Sequence, residues 1–187
     1  MSSMRTNRHG SATVTLPSDR EILIARVFDA PARHVFRAYT TPDLVKRWWG
    51  FPTSEWLVCE NDLRVGGKWR YVIREQGHEV GFHGVHREVE APHRLVSTEV
   101  FEGFPGGDEA GALTTVEFDE QNGATTMRMT VLHADKSQRD AHLESGMEGG
   151  MQISMDRLED LVALHLLGPE LDPSWRPAPR EIEPGTA

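Results

Sequence analysis

The stretch SQRDAHLESGMEGGMQISMDRLEDLVALHLL, residues 137–167, decides the fold. Leu143, Met147, Met151, Met155, Leu158, Val162 and His165 recur every three or four residues, which draws one largely apolar stripe along a helix. Ser137 with Asp140 three residues on is read as the capping pair at its start, and Gly168-Pro169 as its stop. At 1.5 Å per residue the helix would be about 45 Å long. Nothing else in the sequence is as long, so the rest of the chain is expected to pack around it. Gly146, Gly149 and Gly150 fall in its first half, each at a cost of about 1 kcal/mol against alanine. Such glycines mark a bend, a close approach or space left open. A break into two helices at Gly149-Gly150 is the alternative.

Ahead of this helix the period changes to two. Residues 13–29 alternate through Val14, Leu16, Ile22 and Ile24 and read as a first strand interrupted at Pro17-Ser18. Pro31 opens a short helix with Val35, Phe36 and Tyr39 on one face. Thr41 caps a second, with Pro42 in its first turn, that ends at Trp48-Trp49-Gly50. Strands are then expected over 55–63, 68–75, 79–90, 94–101, 112–120 and 124–132, separated by turns at Gly66-Gly67, Gln76-Gly77-His78, Ala91-Pro92-His93 and Asn122-Gly123. In 68–75, Trp69, Tyr71 and Ile73 alternate with Lys68, Arg70 and Arg74, so one sheet face is wet and the other needs a cover. Only the long helix is long enough to provide it. The pattern is that of an α+β domain over 13–167, with a flexible N-terminus over 1–12 and an extended proline-rich tail over 168–187 that carries Trp175.

The net charge of -9 disfavours nucleic acid or an anionic membrane surface as a standing partner. One cysteine, Cys59, allows no internal disulfide and fits a reducing compartment. The sequence has no apolar run of membrane-spanning length, and MSSMRTNRHG carries no apolar signal region, so a cytoplasmic location is expected. Nine histidines invite a metal hypothesis, but His83 and His86 stand three apart on a strand and point to opposite faces. His78 and His133 would approach only through the tertiary fold. No H-E-x-x-H, cysteine pair or G-x-S-x-G elbow is present, so neither a metal nor a cofactor is expected. The glycine-rich segments at 66–67 and 103–111 lead into strands and lack the lysine of a phosphate loop. Glu99 and Ser97 share a strand face with Leu95 and Phe101. Turned inward, Glu99 would be an acid–base group, but exposed carboxylates are far commoner, and Glu99 is therefore expected in solvent.

The order of strand, two short helices, six strands and long helix resembles the START-like, helix-grip superfamily (SRPBCC). More closely the chain resembles stand-alone bacterial members of the family named after the activator of heat-shock protein 90 ATPase. The residues that carry this are Pro42-Asp43-Leu44 to Trp48-Trp49-Gly50, Asp62 to Trp69, Phe82 to Val89, Arg94-Leu95-Val96, Ser145 to Met151 and Arg157-Leu158-Glu159. The resemblance implies a curved seven-stranded antiparallel sheet gripping the long helix, with a cavity for a small hydrophobic molecule between them. In the superfamily that cavity serves cyclases, hydratases and lipid carriers. The expected lining is Trp48, Trp69, Tyr71, Met127, Met129, Met147, Gly150, Met151 and Leu158, with Gly150 making room beside the stripe. The expected partner is one small hydrophobic molecule, without nucleic acid or membrane insertion, and a homodimer is left open. The main reading is ligand binding without catalysis. The alternatives are an enzyme for a polyketide-like or aromatic substrate, with Glu99 or His86 as its acid–base group, and a co-chaperone-like interaction module. The co-chaperone pairs this domain with a second one that touches the chaperone, for which this sequence leaves no room, so no stimulation of the chaperone's ATPase is expected.

Overall fold

The computed structural model describes residues 10–103 and 111–163. His165, the stop at Gly168-Pro169 and Trp175 lie outside the described residues. In chain order the elements are β1 (Thr13–Thr15), β2 (Glu21–Phe28), α1 (Ala32–Thr40), α2 (Pro42–Trp48), β3 (Glu55–Asn61), β4 (Lys68–Glu75), β5 (His78–Glu90), β6 (Arg94–Phe101), β7 (Ala112–Gln121), β8 (Ala124–Leu132), α3 (Lys136–Glu144) and α4 (Met147–Ala163). The strands form one eight-stranded sheet in the order β1-β2-β8-β7-β6-β5-β4-β3, antiparallel throughout. Where one interrupted first strand is expected, Pro17 and Ser18 turn the chain back on itself. Thr13 then pairs with Ala25, and the count becomes eight rather than seven. Bulges between Trp56 and Val58 and between His86 and Glu88 curve the far half of the sheet, as an extra residue on one strand does.

The two short helices carry the chain from β2 across the concave face to the opposite edge at β3. Thr41 stands at the N-cap of α2 but makes no side-chain cap bond. Proline at the first helical position has no N–H to leave unsatisfied there and presets the helical φ. Trp48 closes the pair by donating its indole N–H to the Ala38 carbonyl at 2.9 Å.

The long helix is two helices, and the break is neither absent nor at Gly149-Gly150. It lies at Ser145-Gly146, where Gly146 has φ +79°, a left-handed conformation natural to glycine after a helix end. The cap is also not Ser137: Asp135, two residues earlier, accepts the Gln138 N–H at 2.9 Å and starts α3 at Lys136. Polar contacts fix α4 from both sides. Asp156 meets the buried Arg26 of β2 at 2.6 Å, and Gln152 bonds both backbone groups of Ala12. Ser154 accepts the Gly50 N–H at 3.2 Å, and Arg157 donates to the Gly50 carbonyl at 3.0 Å.

The core fills only part of the concave face. Phe28, Phe36, Phe118 and Met127 pack there with Leu158, Leu161 and Val162 of α4, and Phe36 meets Phe118 edge-on at 5.5 Å between centroids. Further along the same strands the side chains become smaller or polar, and space opens under the first half of α4.

Candidate functional site

That space is a cavity of about 600 Å³ between the sheet, the Trp48–Phe51 segment, α3 and the start of α4. Its size is that of a small-molecule site. The floor is set by register. One rung places Ile24 opposite Met129, with Met129 opposite Val116 and Val116 opposite Leu95; the next places Val131 opposite Thr114, Thr114 opposite Ser97 and Ser97 opposite His86. All of these side chains face the cavity.

One wall is aromatic. Trp69 packs against Tyr71 at 5.1 Å, Trp49 meets Tyr71 at 5.8 Å and Phe82 at 5.6 Å, and Phe82 meets Phe101 at 5.1 Å. Gly84 makes this wall possible. A Cβ there would lie 1.8 Å from the Thr98 carbonyl oxygen and 2.6 Å from Trp69 Nε1. Its absence lets the Trp69 indole lie across β5 and donate to that carbonyl at 3.2 Å.

A polar stripe crosses the floor. Asn61 donates its amide to the Thr40 carbonyl at 2.6 Å, which fixes its Oδ1 as the acceptor 2.6 Å from His86 Nε2. Nε2 therefore carries the ring proton, and Nδ1 accepts the Ser97 hydroxyl at 2.7 Å. Burial depresses the His86 pKa to about 4, so the ring is neutral at pH 7. With its proton committed to His86, Ser97 presents only lone pairs to the cavity. The hydroxyl oxygen of Thr114, beside it, is buried without a hydrogen-bond partner among the described residues.

Glu99 stands two residues beyond Ser97 on the same face of β6, and it points into the cavity rather than into solvent. The expectation of a solvated carboxylate is thereby corrected. Its strand face is the concave one, as the company of Leu95, Ser97 and Phe101 would require. Desolvation pushes its pKa up to about 7, and no hydrogen bond or ion pair offsets that among the described residues. The hydroxyl of Tyr39, whose ring stacks on Trp48 at 5.4 Å, is raised first by burial and then by the Glu99 charge.

At the α3 side, His133 Nε2 meets His142 Nδ1 at 3.0 Å, and the Gln138 side-chain carbonyl is buried without a partner among the described residues. His133 thus finds His142 rather than His78. Both rings are shifted down chiefly by burial, His142 to about 4. Among the described residues no three His, Cys, Asp or Glu side chains converge as metal ligands. Cys59 is half-buried on β3, with its thiol pushed up to about 11 by burial. His83 lies on the other face of β5, 2.9 Å from Glu102.

Of the residues expected to line the cavity, Trp48, Trp69, Tyr71, Met129, Met147, Gly150 and Met151 do so. Met127 and Leu158 do not: both are fully buried in the core, one rung too far along the strand and one turn too far along the helix. Trp49 and Glu99, the first a candidate for the entrance and the second the carboxylate expected in solvent, line the cavity too, and so do Tyr39, Ser97, Thr114 and the histidine pair, which lie outside the expected lining. For Ser97, Glu99 and Thr114 the signal in the sequence is parity with inward residues on the same strand, which the preference for exposed polar groups outweighs; for the helical Tyr39 and His142 no such signal exists.

No curated protein sequence matches the chain. Among solved structures it is similar to a Rhodobacter sphaeroides protein, with 25% identity, a TM-score of 0.73 and coverage of 82% of this chain and 98% of that one. A Staphylococcus epidermidis protein gives 25% identity and a TM-score of 0.69 over 82% and 94%. A Mycobacterium smegmatis protein, at 22% identity and a TM-score of 0.72 over 81% and 96%, shares the fold. The helix-grip architecture is therefore common to all of them. Residues 29–163 match the family described as activator of Hsp90 ATPase homolog 1-like protein, and the chain belongs to that family.

Proposed function

We propose that the protein binds one small, largely apolar molecule in the cavity beneath α4. The carrying observation is the cavity itself: about 600 Å³, walled by aromatic and methionine side chains, with a few polar groups gathered on one strip of its floor. Apolar walls supply affinity, and a few placed polar groups supply orientation. Met129, Met147 and Met151 on floor and roof suit ligands of varied shape, because methionine repacks at little cost. Trp48, Trp69, Tyr71 and Gly150 complete the contacts we assign to the ligand. Of the exposed apolar side chains, Phe51 and Phe101 line the cavity, and Leu16, Val27, Leu57, Val65, Leu113 and Ile153 lie on different elements, which favours the cavity over a protein-docking face as the main role. A cytoplasmic location and the absence of nucleic-acid partners belong to the same reading. No helix among the described residues is long and apolar enough to cross a membrane.

Glu99 favours a second reading, in which the bound molecule exchanges a proton with a carboxyl group poised near neutrality. Native mass spectrometry of protein purified from its own host tests the first reading. A co-purified small molecule, released on denaturation, is the expected result. Protein that arrives empty and also fails to take up the neutral probe Nile red would overturn it.

A further inference from the structure

Among the described residues the cavity has a lone acidic side chain and no basic one to match it. Its lining among the described residues includes Glu99 but no lysine or arginine. The other titratable groups that face it are Tyr39, Tyr71, His86, His133 and His142, and burial keeps each of them in its neutral form at pH 7. A carboxylate in apolar surroundings is tolerated when a cation or several donors reach it. Here neither comes from the described residues.

The neighbouring polar atoms ask for the same complement. Ser97 donates its hydroxyl hydrogen to His86 Nδ1 and can only accept from a ligand. Among the described residues the side-chain carbonyl of Gln138 is an acceptor without a donor, and the Thr114 oxygen beside Ser97 has no partner. Ser97 and Glu99 lie two residues apart on one strand face, about 7 Å between Cα atoms, so a single nitrogen between their side chains could reach both. Around them Trp69 lies across Gly84 to the Thr98 carbonyl, and Phe101 follows on the same face of β6. Aromatic faces attract cations.

We infer that the ligand carries a protonated amine, with its N–H groups directed at Glu99 and Ser97 and its apolar body against the aromatic wall. The inference rests on the proposed binding role and adds the charge and donor character of the ligand. The ammonium is the missing counter-ion of Glu99, and no other group on the concave face provides one among the described residues.

Three probes of one skeleton separate the possibilities: phenylbutylamine, phenylbutanol and phenylbutanoate, titrated by calorimetry at pH 8 into the wild type and Glu99→Gln. The expected result is that the amine binds the wild type at least about tenfold more tightly than the alcohol, and the acid more weakly than both. Glu99→Gln should bring the amine down to the level of the alcohol while the alcohol changes by less than about twofold. That control also separates Glu99 from the general attraction of cations to a chain of net charge -9. Should the variant fail to fold, carboxyl-carbon NMR of the wild type decides: the Glu99 titration must move to lower pH when amine is bound and stay in place with alcohol. Alcohol binding as tightly as the amine, or an amine preference that survives Glu99→Gln, would overturn the inference and leave the cavity reading standing. If none of the three probes binds, the inference falls, and the cavity reading is judged separately by the uptake of Nile red.

Discussion

At the residue scale, Glu99 sets a clear sign for the pH dependence of stability. Its folded pKa, about 7, lies above the ordinary value of 4.5, so between those limits the folded chain holds a proton that the unfolded chain has released. Stability from this group is therefore fully present below about pH 4.5 and is lost as the pH rises to about 7. His86 and His142, with pKa values depressed to about 4, act in the opposite sense: their contribution is lost as the pH falls from about 6.5 towards 4. The wild-type profile mixes both slopes, but the difference between wild type and Glu99→Gln isolates the carboxylate. At pH 8.5 the variant should be more stable by about 2 kcal/mol, less than the full shift implies because water enters an open cavity, and near pH 4.5 the two should converge. Urea unfolding at the two pH values checks this. Equal stability at both would mean that Glu99 is solvated after all. The inward turn of Glu99 could be read from parity, since Leu95, Ser97, Glu99 and Phe101 alternate on one face. Which face was concave could not be read there, because Phe101 is as much at ease at a cavity mouth as in a core.

At the scale of the element, the three glycines near the start of α4 separate into different physical cases. Gly146 has φ +79° and ends α3, so Gly146→Ala should destabilise by about 1 kcal/mol through backbone strain, even though no atom lies within 4 Å of the added carbon. Gly149 lies inside α4 with open space beside it, and Gly149→Ala should stabilise by about 0.5–1 kcal/mol through helix propensity alone. Gly150 faces the cavity, and a Cβ there would meet only the tip of Phe51 at 3.5 Å, an ordinary contact. Gly150→Ala should therefore gain a similar amount while lowering the affinity of a neutral apolar probe. Thermal melts with and without probe separate the three, and an equal destabilisation by all of them would refute this assignment. The apolar stripe was legible from Leu143 to Val162 because its spacing spans the break. The position of the break was not, since Ser145-Gly146 and Gly149-Gly150 look alike to helix propensity. The distinction comes from Asp135 capping α3 early and from the Gly146 backbone, neither of which a period records.

For the whole molecule, the decisive property is that one continuous apolar stripe serves two different purposes. Leu158, Leu161 and Val162 close a core against β2 and α1, whereas Met147 and Met151 hang over unfilled space. The element order and hydrophobic alternation were enough to reach the helix-grip architecture, because an antiparallel sheet with one wet face leaves a single place for the long helix. They do not divide core from cavity: by spacing alone Met127 and Leu158 read alike with Met129 and Met151. That division depends on how far α4 is held from the sheet, which Arg26–Asp156 on one side and Ser154 and Arg157 with Gly50 on the other determine. It predicts an asymmetry along a single helix. Leu158→Ala removes a side chain with no exposure and should cost about 2–5 kcal/mol, since its neighbours can close the hole only in part. Met151→Ala enlarges a space that already exists, so it should cost about 1 kcal/mol or less. Met151→Trp should go the other way: by occupying the cavity it should raise the melting temperature and abolish uptake of Nile red, with the fold retained by circular dichroism. Comparable losses at 151 and 158, with probe binding untouched by the tryptophan, would mean that the first half of α4 packs as tightly as the second and that no ligand space lies beneath it.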